Sequence, residues 1–381
     1  MQATHSSPSI KADRTPERVR ILALATDAFG GYGGIAQYNR DLLCAIAQND
    51  QVERIDVKVR VGDQTSETPI DKLEQSKPVM SRLKYTMQAL SSALRKRPTL
   101  ILNLHLYHSS LSKMIAKITG AKLISQLHGT EIWGDVSERH LKALSASDLV
   151  LCVSRDTEEK LLQKAPALTG KTSILPNTVQ DQFRVGDKQE ARQKFGLGNE
   201  KVILTVARLD TRNGYKGHDK IISMLPELCE VHQGNLQYLI AGTGEDRRRL
   251  EALAQDLNVE RHVKFLGRVD DEDLPDLYRA ADVFAMPSTG EGFGIVYLEA
   301  MASGTPAIGL NVGGARDAFD DGQIGHCVSP EDFEATLKRV LSEPPPLPNE
   351  LSQQVRARFG KDAFQAQVST IMNLNTLAEA N

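Results

Sequence analysis

Twice along the chain, short apolar runs rich in β-branched residues alternate with segments whose apolar residues recur at helical spacing. In the first half RILALAT, IDVKVRV, TLILNLH, AKLISQLHG and LVLCVS are followed in turn by GGIAQYNRDLLCAIAQ, SRLKYTMQALSSALRK, SSLSKMIAKITG, SERHLKALSAS and TEEKLLQKA, and SILPNTV closes the half. The pattern restarts with KVILTVARL and runs through LQYLIAGTG, HVKFLGR, DVFAMPS and TPAIGLN, with helical segments between them. Repeated β-α requires parallel strands, because a crossover helix and not a tight hairpin must join each strand to the next. The expectation is an α/β chain of two doubly wound domains facing across a cleft, and 381 residues exceed what one core usually supports. We place a loose tail at 1–15, the first domain at 16–179, the second at 180–355, and a C-terminal helix at 356–381 packing back on the first domain. The Pro-rich EPPPLPNE at 343–350 reads as a rigid connector.

No run approaches a membrane span, and no apolar signal core stands at the N-terminus, so the expected location is the cytoplasm. Cys44, Cys152, Cys229 and Cys327 lack the paired spacing of a zinc site or disulfide framework. The net charge of −3 divides unevenly: residues 1–179 carry 24 basic and 18 acidic side chains (+6), and residues 180–381 carry 22 and 31 (−9). A basic half suits an anionic partner or a membrane surface, and net charge alone decides neither.

The most informative stretch is EGFGIVYLEAMASGTP, Glu291 to Pro306. Ile295 to Ser303 reads as a helix ended by Gly304 and Pro306, apolar nearly all round and therefore buried. A buried carboxylate at Glu299 needs an internal Arg or Lys, backbone amides, or a ligand polyol. Gly290, Gly292 and Gly294 let backbone approach a ligand closely, and amides at a helix start suit an anion.

This segment resembles the signature of glycosyltransferase family 4, whose retaining members have the GT-B fold of two Rossmann-like domains and carry two glutamates separated by seven residues. The resemblance runs over nearly the whole chain in the expected order. It implies that Glu291 faces the donor-sugar hydroxyls, that Phe293, Gly294 and Ile295 offer backbone amides there, and that Glu299 accepts the two ribose hydroxyls of the nucleotide.

Other motifs fit around it. In TVARLDTRNGYKGHDKI, Arg208 and Lys216 provide the positive charge that a departing diphosphate needs, with Gly214 and Gly217 shaping the loop; both are otherwise solvated loop charges. The Arg-to-Lys spacing is longer than in many relatives. LIAGTGEDRRRLE places Gly242 and Gly244 at a strand-to-helix turn, either beside the nucleotide or as a plain turn, and the resemblance sets backbone at Arg268 and Val269 near the base. FGGYGGIAQYNRDLL, with Gly33 and Gly34, lacks the spaced dinucleotide fingerprint and looks like the family's flexible glycine loop; a structural turn is the alternative. His128 ends a strand in QLHGTEIW. A lone histidine there is usually structural, whereas the resemblance makes it the histidine that contacts the donor sugar. SRD at 154–156 and Asn177 are weaker cleft candidates.

The acids of VDDEDLPD suit a helix start better than a metal, and no metal or cofactor is expected. In SRLKYTMQALSSALRKRP, Leu83, Met87, Leu90 and Leu94 share a helical stripe beside Lys84, Arg95, Lys96 and Arg97. It reads as core-facing, or as peripheral contact with the inner face of an anionic membrane.

The expected function is retaining transfer of a hexose from a UDP- or GDP-sugar, UDP-glucose or GDP-mannose, to an acceptor glycan or lipid-linked saccharide in polysaccharide or glycolipid synthesis, without nucleic acid. His128, Arg208, Lys216 and Glu291 would carry it. A soluble metabolite acceptor and a sugar-nucleotide-binding scaffold without turnover stay open; a nicotinamide oxidoreductase is disfavoured by the missing fingerprint.

Overall fold

The computed structural model describes residues 18–62, 68, 70–211 and 216–372. The expected tail at 1–15, Gly214, and positions 373–381 of the C-terminal helix lie outside the described residues.

The first sheet comprises β1 Val19–Ala25, β2 Val52–Val59, β3 Leu73–Gln75, β4 Leu100–Asn103, β5 Lys122–Leu127, β6 Leu149–Cys152 and β7 Thr172–Ile174. The second comprises β8 Lys201–Val206, β9 Leu236–Ala241, β10 Val263–Gly267, β11 Val283–Met286, β12 Ala307–Leu310 and β13 His326–Val328. All neighbouring strands pair in parallel, in the orders β3-β2-β1-β4-β5-β6-β7 and β10-β9-β8-β11-β12-β13. The strand order reverses between β1 and β4 in one sheet and between β8 and β11 in the other. Loops leaving the carboxyl ends of those strands diverge to opposite faces and open a crevice, which is where open α/β sheets bind ligands. The central strands β4 and β11 are buried throughout, as strands covered on both faces must be.

Helices α1 Gly34–Ala47, α2 Arg82–Lys96, α3 Ser109–Thr119, α4 Glu138–Leu144 and α5 Arg155–Lys164 accompany the first sheet. The second carries α6 Lys188–Lys194, α7 His218–Val231, α8 Arg247–Asp256, α9 Leu274–Ala280, α10 Ile295–Ala302, α11 Ala315–Ala318 and α12 Phe333–Ser342. The terminal segment is two helices, α13 Pro348–Phe359 and α14 Lys361–Ile371, divided at Gly360. The former packs on α10 and the latter crosses to α1. Where the chain crosses back, the Val179 amide and the Thr178 hydroxyl both donate to the Phe359 carbonyl, each at 2.8 Å.

In α2 the stripe that reads as core-facing points outward: Leu83, Met87 and Leu94 are 68%, 53% and 62% exposed. The inward face is Tyr85, Ala89, Ser92 and Ala93. Small residues there let the helix approach the sheet closely, the Tyr85 hydroxyl donates to the Lys58 carbonyl at 3.2 Å, and the Ser92 hydroxyl donates to Asp56. An inner face that is half polar hides from a count of apolar residues.

Candidate active site

The loop after β11 leads through Glu291, Gly292 and Phe293 into α10, whose capping position is Gly294 at φ 97°. Glu291 is only 6% exposed, and its Oε1 accepts from Lys216 Nζ at 2.7 Å. The pairing offsets the cost of burying either charge alone. Lys216 is placed by Gly217, at φ 77°, where a Cβ would lie 2.6 Å from the Pro287 carbonyl; the loops after β8 and β11 thus touch at the point where strand order reverses. The Glu291 carbonyl accepts from the Gly314 amide at 2.8 Å, fixing the loop from its other side.

Glu299 lies in the second turn of α10. Among the described residues neither an Arg nor a Lys satisfies it: its hydrogen-bond donor there is the Tyr278 hydroxyl, 2.7 Å from Oε2. Burial outweighs that neutral donor and pushes the carboxyl up to about 7, with nearby Asp271 adding to the rise. The side chain remains partly accessible and has accepting capacity left.

Across the cleft His128 follows β5. Its Nε2 lies 3.0 Å from the Leu104 carbonyl, an acceptor only, so Nε2 carries the proton. Burial lowers its pKa to about 4, so the ring is neutral near pH 7 with Nδ1 bare, able to accept a hydroxyl proton. The His128 amide donates to Glu131 Oε1 at 2.8 Å, which anchors the residue whose own carbonyl, one peptide further on, faces the other domain. A Cβ on Gly292 would lie 2.2 Å from that carbonyl, and one on Gly129 would lie 2.7 Å from Gly292 Cα. Backbone meets backbone here, and only glycine allows it.

Gly33 caps α1 at φ 88°, with no described atom within 4 Å of where a Cβ would lie, and a Cβ on Gly34 would lie 3.9 Å from the Ile295 side chain. The exposed Tyr32 ring lies under the Arg268 guanidinium, 4.6 Å from its centroid. The structure therefore gathers His128, Lys216, Glu291, Gly33, Gly34 and the Gly292–Ile295 backbone along one cleft. Phe293 turns inward against Phe359, leaving its backbone as the part available to a ligand.

Other sequence candidates sit differently. Arg208 is exposed just beyond the carboxyl end of β8, and its side chain makes no hydrogen bond or ion pair with the described residues. The space a side chain would need at Gly242 and Gly244 is filled by the Ala207 and Leu209 carbonyls, each 1.9 Å from where a Cβ would lie, so these glycines let the loops after β8 and β9 interlock. Val269 packs against the core. Asp273 and Asp276, from the acidic cluster, both pair with Lys194. Ser154 caps α5, and Arg155 reaches the second domain, its Nε 2.5 Å from Asp317 and its terminal nitrogens 2.9 Å from Asp321. Sequence reading missed that contact, and also the role of Glu131, whose spacing three residues after His128 was its only signal.

Residues 187–358 match the family described as glycosyl transferases group 1. Over that segment the chain is similar to group 1 glycosyl transferases. The chain is 33% identical over 240 residues to a GDP-mannose-dependent alpha-(1-6)-phosphatidylinositol monomannoside mannosyltransferase of Mycolicibacterium smegmatis, covering 59% of this chain and 62% of that protein. It is 31% identical over 247 residues to a D-inositol 3-phosphate glycosyltransferase of Geodermatophilus obscurus, covering 62% and 54%. Each match thus spans less than two thirds of the relative's length. Anabaena HepE, solved with UDP and glucose, superposes with a TM-score of 0.75 at 21% identity over 93% of this chain and all of its own. The whole chain has the two-domain GT-B fold that the sequence grammar and signature led us to expect.

Proposed function

We propose that the protein is a retaining glycosyltransferase that moves a hexose from a nucleoside diphosphate sugar to an acceptor hydroxyl. The observation that carries this reading is the pairing of half-buried Lys216 with buried Glu291, 2.7 Å apart at the reversal point of the second sheet, beside the glycine contact with the His128 carbonyl. Glu291 holds the sugar hydroxyls, and His128 Nδ1 accepts another. Lys216 and Arg208 neutralise the diphosphate as the bond from the anomeric carbon to its oxygen breaks. A diphosphate oxygen takes the acceptor proton as the acceptor oxygen bonds to that carbon from the same face. Glu291, already paired with Lys216, acts by position and charge and not as a covalent nucleophile. Glu299 accepts the ribose diol.

A GDP-mannose-dependent relative and a structural neighbour solved with UDP and glucose support GDP-mannose or UDP-glucose as donors. The outward apolar face of α2, flanked by exposed Arg82, Lys84, Arg95 and Arg97, favours a lipid-linked acceptor met at an anionic membrane. No described helix is long and apolar enough to cross a membrane.

A thermal-shift and donor-hydrolysis panel of UDP-, GDP- and ADP-sugars tests the assignment. One donor should raise the melting temperature of the wild type and of neither Glu299→Ala nor Lys216→Ala. A flat response to every nucleotide sugar, or product of inverted anomeric configuration, would remove it.

A further inference from the structure

Among the described residues only Tyr32 and Tyr107 present an aromatic ring more than half exposed, at 63% and 66%. Tyr32 follows β1 and Tyr107 follows β4, the two strands between which the first sheet reverses its order. The Tyr32 ring is covered by Arg268 from the opposite domain. No described residue of the opposite domain covers Tyr107 in that way, yet it is held: its ring stacks on His105 with centroids 4.6 Å apart and planes 29° from parallel, and the His140 ring stands 6.3 Å away. Its amide donates to His105 Nδ1 at 3.3 Å. Burial lowers the His105 pKa to about 4, so this imidazole is neutral, with its proton on Nε2. His105 in turn lies 6.1 Å from His128, ring to ring. A large apolar ring kept in one orientation by a buried neighbour costs little further entropy when a ligand covers its open face.

We propose that Tyr107, backed by His105, is the platform on which the acceptor's saccharide or cyclic polyol ring stacks. The inference rests on the glycosyltransferase reading for the word acceptor, and on the geometry alone for the site. Tyr107 belongs to the domain opposite the Lys216–Glu291 pair, and one ring, that of His105, stands between it and His128. A sugar lying on it presents its apolar C–H face to the phenol ring and its hydroxyl edge to the cleft.

Methyl α-D-mannopyranoside, methyl α-D-glucopyranoside and myo-inositol serve as probes, observed by saturation-transfer NMR on the full chain with and without UDP or GDP. At least one probe should receive saturation at its ring C–H protons from the wild type, and should do so from Tyr107→Phe, which keeps the ring. In Tyr107→Ala the signal should vanish or the dissociation constant rise roughly fivefold, while nucleotide-sugar stabilisation measured by thermal shift is unchanged. Three results overturn the proposal: no transfer to any probe with the wild type, no difference between Tyr107→Ala and the wild type, or a loss in Tyr107→Phe equal to that in Tyr107→Ala. If no nucleotide sugar stabilises the protein while a probe stacks on Tyr107, the enzyme assignment falls and the saccharide site stands.

Discussion

Burial pushes the Glu299 carboxyl up to about 7, which on the proposed function acts in opposite directions on nucleotide binding and on folding. On the proposed function the ionised carboxylate accepts the two ribose hydroxyls, so nucleotide affinity should rise with pH through about 7, then level off. Glu299→Gln should flatten that profile and weaken binding by roughly tenfold; titration calorimetry on either side of pH 7 measures both. For stability the sign reverses. The folded protein holds a proton that the unfolded chain releases near 4.5, so this group's contribution falls as pH rises from 4.5 to about 7, and Glu299→Gln should gain on the wild type across that window in urea midpoints. The need for a partner at Glu299 was legible, because an apolar helix gives a carboxylate no water. Its identity was not, because Tyr278 lies 21 residues earlier on another helix and only the fold joins them. Glu291 and Lys216 were readable as charges beside glycines; that they neutralise each other depends on two loops 75 residues apart.

At the scale of elements, α2 shows how a periodic stripe can be correct in spacing and wrong in direction. Periodicity identifies a face but does not say what covers it. Beside the stripe, Met114 and Ile118 of the adjoining α3 are also exposed, at 40% and 54%, with Lys113 and Lys117 near them. The wild type should sediment with phosphatidylglycerol vesicles and not with phosphatidylcholine vesicles, and salt should weaken the association. Combining Leu83→Ser, Met87→Ser and Leu94→Ser should abolish it with little change in melting temperature, since these side chains are already exposed. A wild type that stays in solution with both vesicle types rules the contact out. Strands longer than three residues were legible from their β-branched runs. The three-residue β3 and β13 were not, because their pairing comes from neighbouring strands and not from their own composition.

In the whole molecule, the charge imbalance between the halves finds one concrete expression in Arg155, which spans from the first domain to Asp317 and Asp321 of the second. The pairs are substantially exposed, so their effect on overall stability should be small, roughly 0.2–1 kcal/mol. Their effect on how the domains meet should be larger, because the guanidinium stands in one domain and both carboxylates in the other. Arg155→Ala should enlarge the radius of gyration of the ligand-free protein in X-ray scattering, and raised salt should enlarge the wild type towards it; equal radii at every salt concentration would show that the pairs hold nothing closed. The imbalance was visible in the sequence. Which charges cross the cleft was not, because Arg155 and Asp321 are 166 positions apart and come together only when both sheets are built.

The return of the chain at Phe359 adds a mechanical consequence. The outgoing passage at Thr178–Val179 and the incoming one at Phe359 are hydrogen-bonded to each other, so the polypeptide bridges the domains twice at a single place. A lone tether would leave a ball joint, free to swivel in any direction. Two tethers fastened side by side make a door hinge, which suppresses twisting and sliding and leaves mainly the swing that brings the lips of the cleft together and parts them again.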